Sequence, residues 1–267
     1  MCQPRPCGGG GVDVPVPGEL GEASAVVLGA GGGIGSACAR RLAAAGAHVV
    51  GVDRTPLTSS PCHDAVVGDA GDDAVLRDAF HRCPTRPSVV VHAVLGEVRE
   101  PLHRLRSEDW HAVFDATVVS AWRAGCELLE AASGQPASIV LIGSVHAHGA
   151  VPGMATYAVA KAALPALARA AALEWGPLGV RCNVVEPGFV AVERNQRRWQ
   201  DPDQRRQLLA AHPVGRLCTP EEIAEVVVFL SGPGASYVNG ASLAVDGGSL
   251  ARLPAESGVV GARGELT

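Results

Sequence analysis

Residues 24–46 read "SAVVLGAGGGIGSACARRLAAAG", an apolar run, five glycines within seven positions, and a stretch of small residues closed by Gly46. The segment "SAVVLG" is apolar at consecutive positions, which marks a strand buried on both faces. "GIGSACARRLAAAG" has the pattern of a helix, with Gly46 as its stop. "HVVGVD" (48–53) then reads as a second strand. The same beat continues through "DAVVGD" (64–69), a helix near 72–82, "SVVVHA" (88–93), a long helix near 107–132 and "ASIVLIGS" (137–144). It ends with a helix containing "YAVAK" (157–161), the strand "VRCNVVEPG" (180–188), a helix at 220–231 and a last strand "ASLAVDGG" (241–248). Doubly buried strands alternating with helices predict a parallel sheet covered on both sides. The expected fold is α/β, a Rossmann-like doubly wound sheet of about seven strands in one domain over residues 23–250. A chain of 267 residues is long enough for that core.

Two flanks and one insertion fall outside the rhythm. Residues 1–22 lack the apolar stretch of a secretion signal and read as a disordered leader. Residues 251–267 show no period and read as a tail that frays or packs against another subunit. Within the domain, the polar segment 190–212, which includes "ERNQRRWQDPDQRRQLLAAH", reads either as a flap over a site or as a solvated helical excursion.

Composition excludes several classes of function. The net charge is −5 and no block of Lys or Arg occurs, so a nucleic-acid footprint is not expected. No apolar run approaches the roughly 20 residues of a membrane span. The eight cysteines are scattered without a CxxC pair or clustered histidines, which argues against both a metal site and a disulfide framework. These features point to a soluble, cytoplasmic protein with a small-molecule partner.

The glycines follow GxxxGxG spacing at Gly29, Gly33 and Gly35, with Ile34 where a GxGxxG pattern would place its last glycine. Missing Cβ atoms let the backbone turn tightly against a ligand, and the following helix N-terminus offers free N–H groups to a pyrophosphate. Asp53 ends the second strand near the spacing at which a carboxylate meets an adenosine ribose. Its charge repels a 2′-phosphate, which favours NAD; Arg54 beside it pulls toward NADP. Gly32 supplies no second basic group, so NAD stays ahead. Asp69 is placed to meet the adenine amine, since Asp72 is free to cap the next helix.

The chain's single lysine, Lys161, follows Tyr157 by four residues, so a helix stacks the two on one face. A phenol titrates near 10, and a neighbouring cation lowers that value toward a usable acid and base. Ser144 ends a strand thirteen residues before Tyr157, at the sheet edge where open α/β folds bind ligands. Its surroundings lack the GxSxG elbow of a nucleophilic serine.

With Gly29, Gly33, Gly35, Asp53, Ser144, Tyr157 and Lys161 in this order, residues 22–250 resemble the short-chain dehydrogenase/reductase family. "EPG" (186–188) and the stretch from "PVGRLCTPEEIAE" to "AVDGG" are similar to that family as well. The resemblance implies hydride transfer between a nicotinamide and an alcohol or ketone. Tyr157 would pass the proton, Lys161 would tune it and hold the ribose, and Ser144 would orient the substrate oxygen. It further implies that Ile34, Ala70, Ala93, Pro187, Gly188 and Val190 line the cofactor, and that the protein is a homodimer or homotetramer.

Departures from the family pattern are equally visible. His92 to Leu95 stand where the family usually has Asn-Asn-Ala-Gly, and Thr117 stands for a catalytic-helix Asn that anchors a water. Leu28 and Val192 each replace a frequent Thr. These losses leave room for a non-redox reaction, isomerisation or dehydration, on the same scaffold, or for a dinucleotide-binding protein without turnover. His146 and His148 follow Ser144 closely and read as ordinary loop residues or as substrate contacts. Pro165 falls within the helix of Lys161 and is expected to bend it.

Overall fold

The computed structural model describes residues 20–251 except Glu22 and Ser59. The expected leader and tail therefore lie outside the described residues, apart from Leu20, Gly21 and Ala251. Seven parallel strands form one sheet in the order β3-β2-β1-β4-β5-β6-β7. They are β1 (Ser24–Leu28), β2 (His48–Asp53), β3 (Asp64–Val67), β4 (Pro87–His92), β5 (Ala137–Ile142), β6 (Val180–Pro187) and β7 (Ser242–Val245). The chain builds outward from β1 to β3, then returns to the other side of β1 to begin β4. Between β1 and β4 the connections diverge and leave a crevice at the carboxyl edge, where such folds bind ligands.

Side chains alternate across each strand, so each face collects its own core. Val26, Leu28, Val50, Val52 and Val90 pack with α2 (Asp73–His81), α4 (Ser120–Ala132) and α5 (Ala155–Trp175). Ala25, Val27, Val49, Val89 and Val91 pack with α1 (Gly33–Ala44) and α8 (Pro220–Ser231). This double burial explains why the strands read as continuous apolar runs.

Three local features refine the sequence reading. The long helix expected over 107–132 is α3 (Ser107–Phe114) and α4 joined by one wider π-type turn, Asp115–Val119, which holds Thr117. Helix α5 runs unbroken through Pro165, although the Lys161 carbonyl there loses its helical donor. Segment 190–212 includes a short turn at Glu193–Asn195 followed by α6 (Gln196–Gln200) and α7 (Pro202–Ala211), so it is largely helical.

Candidate active site

The turn from β1 into α1 is shaped by glycine at each tight point. Gly29 has φ +80°, and a Cβ there would lie 2.7 Å from the Ala93 carbonyl oxygen. Gly35 packs against Gly29 itself, and a Cβ on Gly33 would strike Val192 at 2.6 Å. Gly32 caps α1 with no side-chain hydrogen bond, and the first turn carries no acidic residue. The helix end thus presents unpaired N–H groups without a competing negative charge, as an anion requires.

Beside this turn lies an open groove of about 190 Å³. It brings together six residues read from sequence: Gly29, Asp53, Arg54, Asp69, Ala70 and Ala93. Val94 and Leu95, part of the His92–Leu95 departure read as an altered adenosine-side wall, line it too, and so does Ala116, which no motif marks. Asp53 is structurally engaged: Oδ2 accepts from the Gly31 N–H at 2.9 Å, and Oδ1 from the Thr55 N–H at 3.1 Å and hydroxyl at 2.9 Å. Oδ2 keeps a further lone pair for a ligand, while Oδ1 is filled by the two Thr55 donors. Asp72 caps α2 through the Ala74 N–H, while Asp69 holds the Gly71 N–H in its own turn. Ile34, Gly33 and Gly35 belong to the helix start, outside the groove lining; Pro187 ends β6, Gly188 follows it, and Val190 bridges to Cys218.

At the next strand end, Ser144, Tyr157 and Lys161 converge. Ser144 follows β5 and is 6 % exposed; Tyr157 sits in the first turn of α5 and Lys161 one turn on, 3 % exposed. The Lys161 Nζ lies 5.8 Å from the Tyr157 ring centroid and donates to the Ile142 carbonyl at 2.7 Å. Burial pushes the Lys161 ammonium down to about 8. Burial also raises the Tyr157 phenol, offset in part by a hydrogen bond with Ser144; Glu97 adds to the rise and Arg194 opposes it. Lys161 is not among the groups that shift the phenol, so the acidification expected of it is not found here, and the Ser144 hydroxyl is the main group easing the phenol's ionisation.

Thr117 is fully buried in the π-type turn, with its Oγ1 lacking a hydrogen-bond partner among the described residues. His92 is fully buried as well, its Nε2 2.7 Å from the Ser120 hydroxyl. Since Ser120 donates its proton to the Ala116 carbonyl at 2.7 Å, it accepts from His92, which fixes Nε2 as the protonated nitrogen. Burial, reinforced by the Lys161 charge, pushes His92 down to about 3, so the imidazole is neutral at working pH.

Sequence reading also passed over Glu186 and Glu97. Glu186 is 2 % exposed and its Oε2 meets His148 Nε2 at 2.7 Å; its only signal was a charge inside an apolar strand. Glu97 pairs with Arg99 and, at 3.3 Å, with Arg194 of the 190–212 segment. Arg198 lies over the Phe189 ring, 5.3 Å from its centroid.

A family profile described as enoyl-(acyl carrier protein) reductase matches residues 29–249. The chain is 33% identical over 255 residues to a (3R)-3-hydroxyacyl-CoA dehydrogenase of Mus musculus, spanning 86% of this chain and 97% of that protein. It is 32% identical over 239 residues to dehydrogenase/reductase SDR family member 4 of Bos taurus, spanning 83% and 85%. Among solved structures, a gluconate 5-dehydrogenase from Burkholderia cenocepacia J2315, in complex with NADP and tartrate, superposes with a TM-score of 0.80 at 28% identity. That superposition covers 89% of this chain and 98% of the other. These matches run through the glycine turn, the Ser144 strand end and the Tyr157/Lys161 helix alike, and the chain belongs to the short-chain dehydrogenase/reductase family.

Proposed function

We propose that the chain is a nicotinamide-dependent oxidoreductase that interconverts an alcohol and a ketone on a small molecule. The observation that carries this reading is the convergence of Ser144, Tyr157 and Lys161 at the carboxyl edge of the same sheet whose glycine turn and Asp53 line the adjoining groove. The residues present suit a dinucleotide: a close-approach glycine, an uncapped helix start and a carboxylate oxygen with a free lone pair. When bound, the nicotinamide supplies the carbon that gives or takes the hydride.

The chain's own groups do the rest. Backbone N–H groups of the glycine turn bind the pyrophosphate, Asp53 takes the ribose hydroxyls, and Lys161 approaches the second ribose. Ser144 holds the substrate oxygen. Tyr157 accepts the hydroxyl proton in oxidation and returns it in reduction, and a phenol kept neutral by burial is poised to donate. Mixing the protein with NADH or NADPH and a panel of ketones, while following absorbance of the reduced cofactor, tests the assignment. Cofactor binding without oxidation by any ketone would point to the non-redox or non-catalytic alternatives.

NAD is the favoured cofactor on the charge of Asp53. Asp53→Asn removes the charge and keeps Oδ1 as the acceptor for the two Thr55 donors, while the Gly31 N–H loses its acceptor. The expected result is a shift of about tenfold in relative Kd toward NADPH, roughly 1.4 kcal/mol, read by fluorescence titration with both cofactors. An unchanged ratio would remove Asp53 from cofactor selection.

We further infer a cytoplasmic assembly of two or four copies. Among the described residues no helix is long and apolar enough to cross a membrane, and the six described cysteines are free, as suits a reducing compartment. Trp122 on α4 and Val159 and Leu173 on α5 are 48%, 46% and 80% exposed, apolar surface that a second copy would cover. Light scattering is expected to give two or four times 27.3 kDa; a monomeric mass would rule the assembly out.

A further inference from the structure

The turn after Ser144 is tied down at both ends. Ser144 accepts the His146 N–H at 3.1 Å, and the Ala147 and His148 N–H groups close on the Ser144 and Val145 carbonyls at 2.9 and 3.0 Å. His146 lays its ring edge-on against Tyr157, with centroids 5.3 Å apart and planes at 77°. His148, two residues further, reaches Glu186 at 2.7 Å. The carboxylate only accepts, so His148 Nε2 carries the proton.

Glu186 is an unusual residue for its position. It is the penultimate residue of β6, on the same face as Val184, the face covered by α5, and a Cβ on Gly143 would lie 3.1 Å from its Cγ. A carboxylate so deeply buried is costly unless paired. Yet among the described residues its Oε1 has no hydrogen-bond partner, and Oε2 has His148. A small apolar side chain would fill the site without that cost. What the carboxylate adds is a fixed point for the turn that leads from Ser144 toward Tyr157.

We propose that Glu186, acting through His148, is a positioning residue for proton transfer: it locks the turn that carries Ser144 and holds His146 against the Tyr157 ring. The inference rests on the role given to Tyr157 above. A displaced turn would disturb both neighbours of the phenol together, and misplacement of about 1 Å near reacting groups costs on the order of 10²-fold in rate.

The chain has two tyrosines, so labelling Tyr Cζ with ¹³C gives two resonances, and Tyr157→Phe identifies that of Tyr157. The informative variant is the double replacement Glu186→Ala/His148→Ala, which leaves no buried charge unpaired. The Tyr157 resonance is expected to move while that of Tyr237 stays. With a ketone substrate kcat falls about 10- to 100-fold, while cofactor Kd holds within about twofold. Glu186→Gln, which retains an acceptor for His148, is expected to restore both signals.

A Tyr157 resonance unmoved in the double variant, or a wild-type kcat, overturns the proposal. So does a Gln variant as impaired as the double one, because the effect would then belong to the charge. Turnover surviving Tyr157→Phe sinks the proton-transfer reading itself; an inactive Tyr157→Phe beside a fully active double variant sinks only the positioning role.

Discussion

Replacing Tyr157 with phenylalanine lowers kcat by about a thousandfold, within the range of 10² to 10⁴ that a positioned acid/base group contributes. The ring remains, and with it the edge contact to His146 and the place of the side chain in the first turn of α5. What disappears is the proton and the hydrogen bond with Ser144. A buried hydrogen bond is worth about 1 kcal/mol, so the melting temperature moves by only a few degrees. Cofactor affinity is unchanged. A variant that keeps its turnover, measured with a ketone at saturating cofactor, would show that another group moves the proton.

Lys161→Met carries the second large effect, and it runs in opposite directions for activity and stability. Removing the ammonium takes away the cation 5.8 Å from the Tyr157 ring and, in the proposed mechanism, the ribose contact, so kcat/KM falls about 10²-fold or more. Stability behaves otherwise. In the unfolded chain a lysine titrates near 10.4, and in the fold burial brings Lys161 to about 8. Between those values the unfolded chain binds more protons, so wild-type stability rises with pH across that window. Below about pH 8 the buried charge costs its full amount, about 3 kcal/mol at 1.36 per unit. Methionine has no proton to lose, fills a similar volume and keeps the helix. The variant therefore melts several degrees above wild type at pH 7, and the margin narrows toward pH 10. Equal margins at both pH values, in thermal melts of the cofactor-free protein, would refute the cost assigned to the buried ammonium.

The fold was legible because its signals are local and repeated. Each strand that is buried on both faces appears as an apolar run, and β1 with its glycines and α1 forms one continuous signature. Ser144, Tyr157 and Lys161 were found because their spacing is short and their chemistry specific. Other features depended on contacts between distant segments. Glu186 and His148 are 38 residues apart, and no local pattern announces that a strand carboxylate meets a loop imidazole. The balance at Tyr157 was also hidden, because proximity to a cation is written in the spacing of "YAVAK" while the degree of desolvation is set by the whole surrounding packing. The wider turn at Thr117 left no trace, since its residues suit an ordinary helix equally well.

Glu97 joins the segment after β4 to Arg194 of the 190–212 segment, and both charges are felt by the phenol. Arg194 is 58 % exposed, so this clasp lies within reach of dissolved ions, which weaken it as ionic strength rises. Ser144, just after β5, and Lys161, on α5, are shielded by packing. Because the phenol feels both charges, added salt acts on its ionisation through this surface pair while the buried side chains around it keep their places.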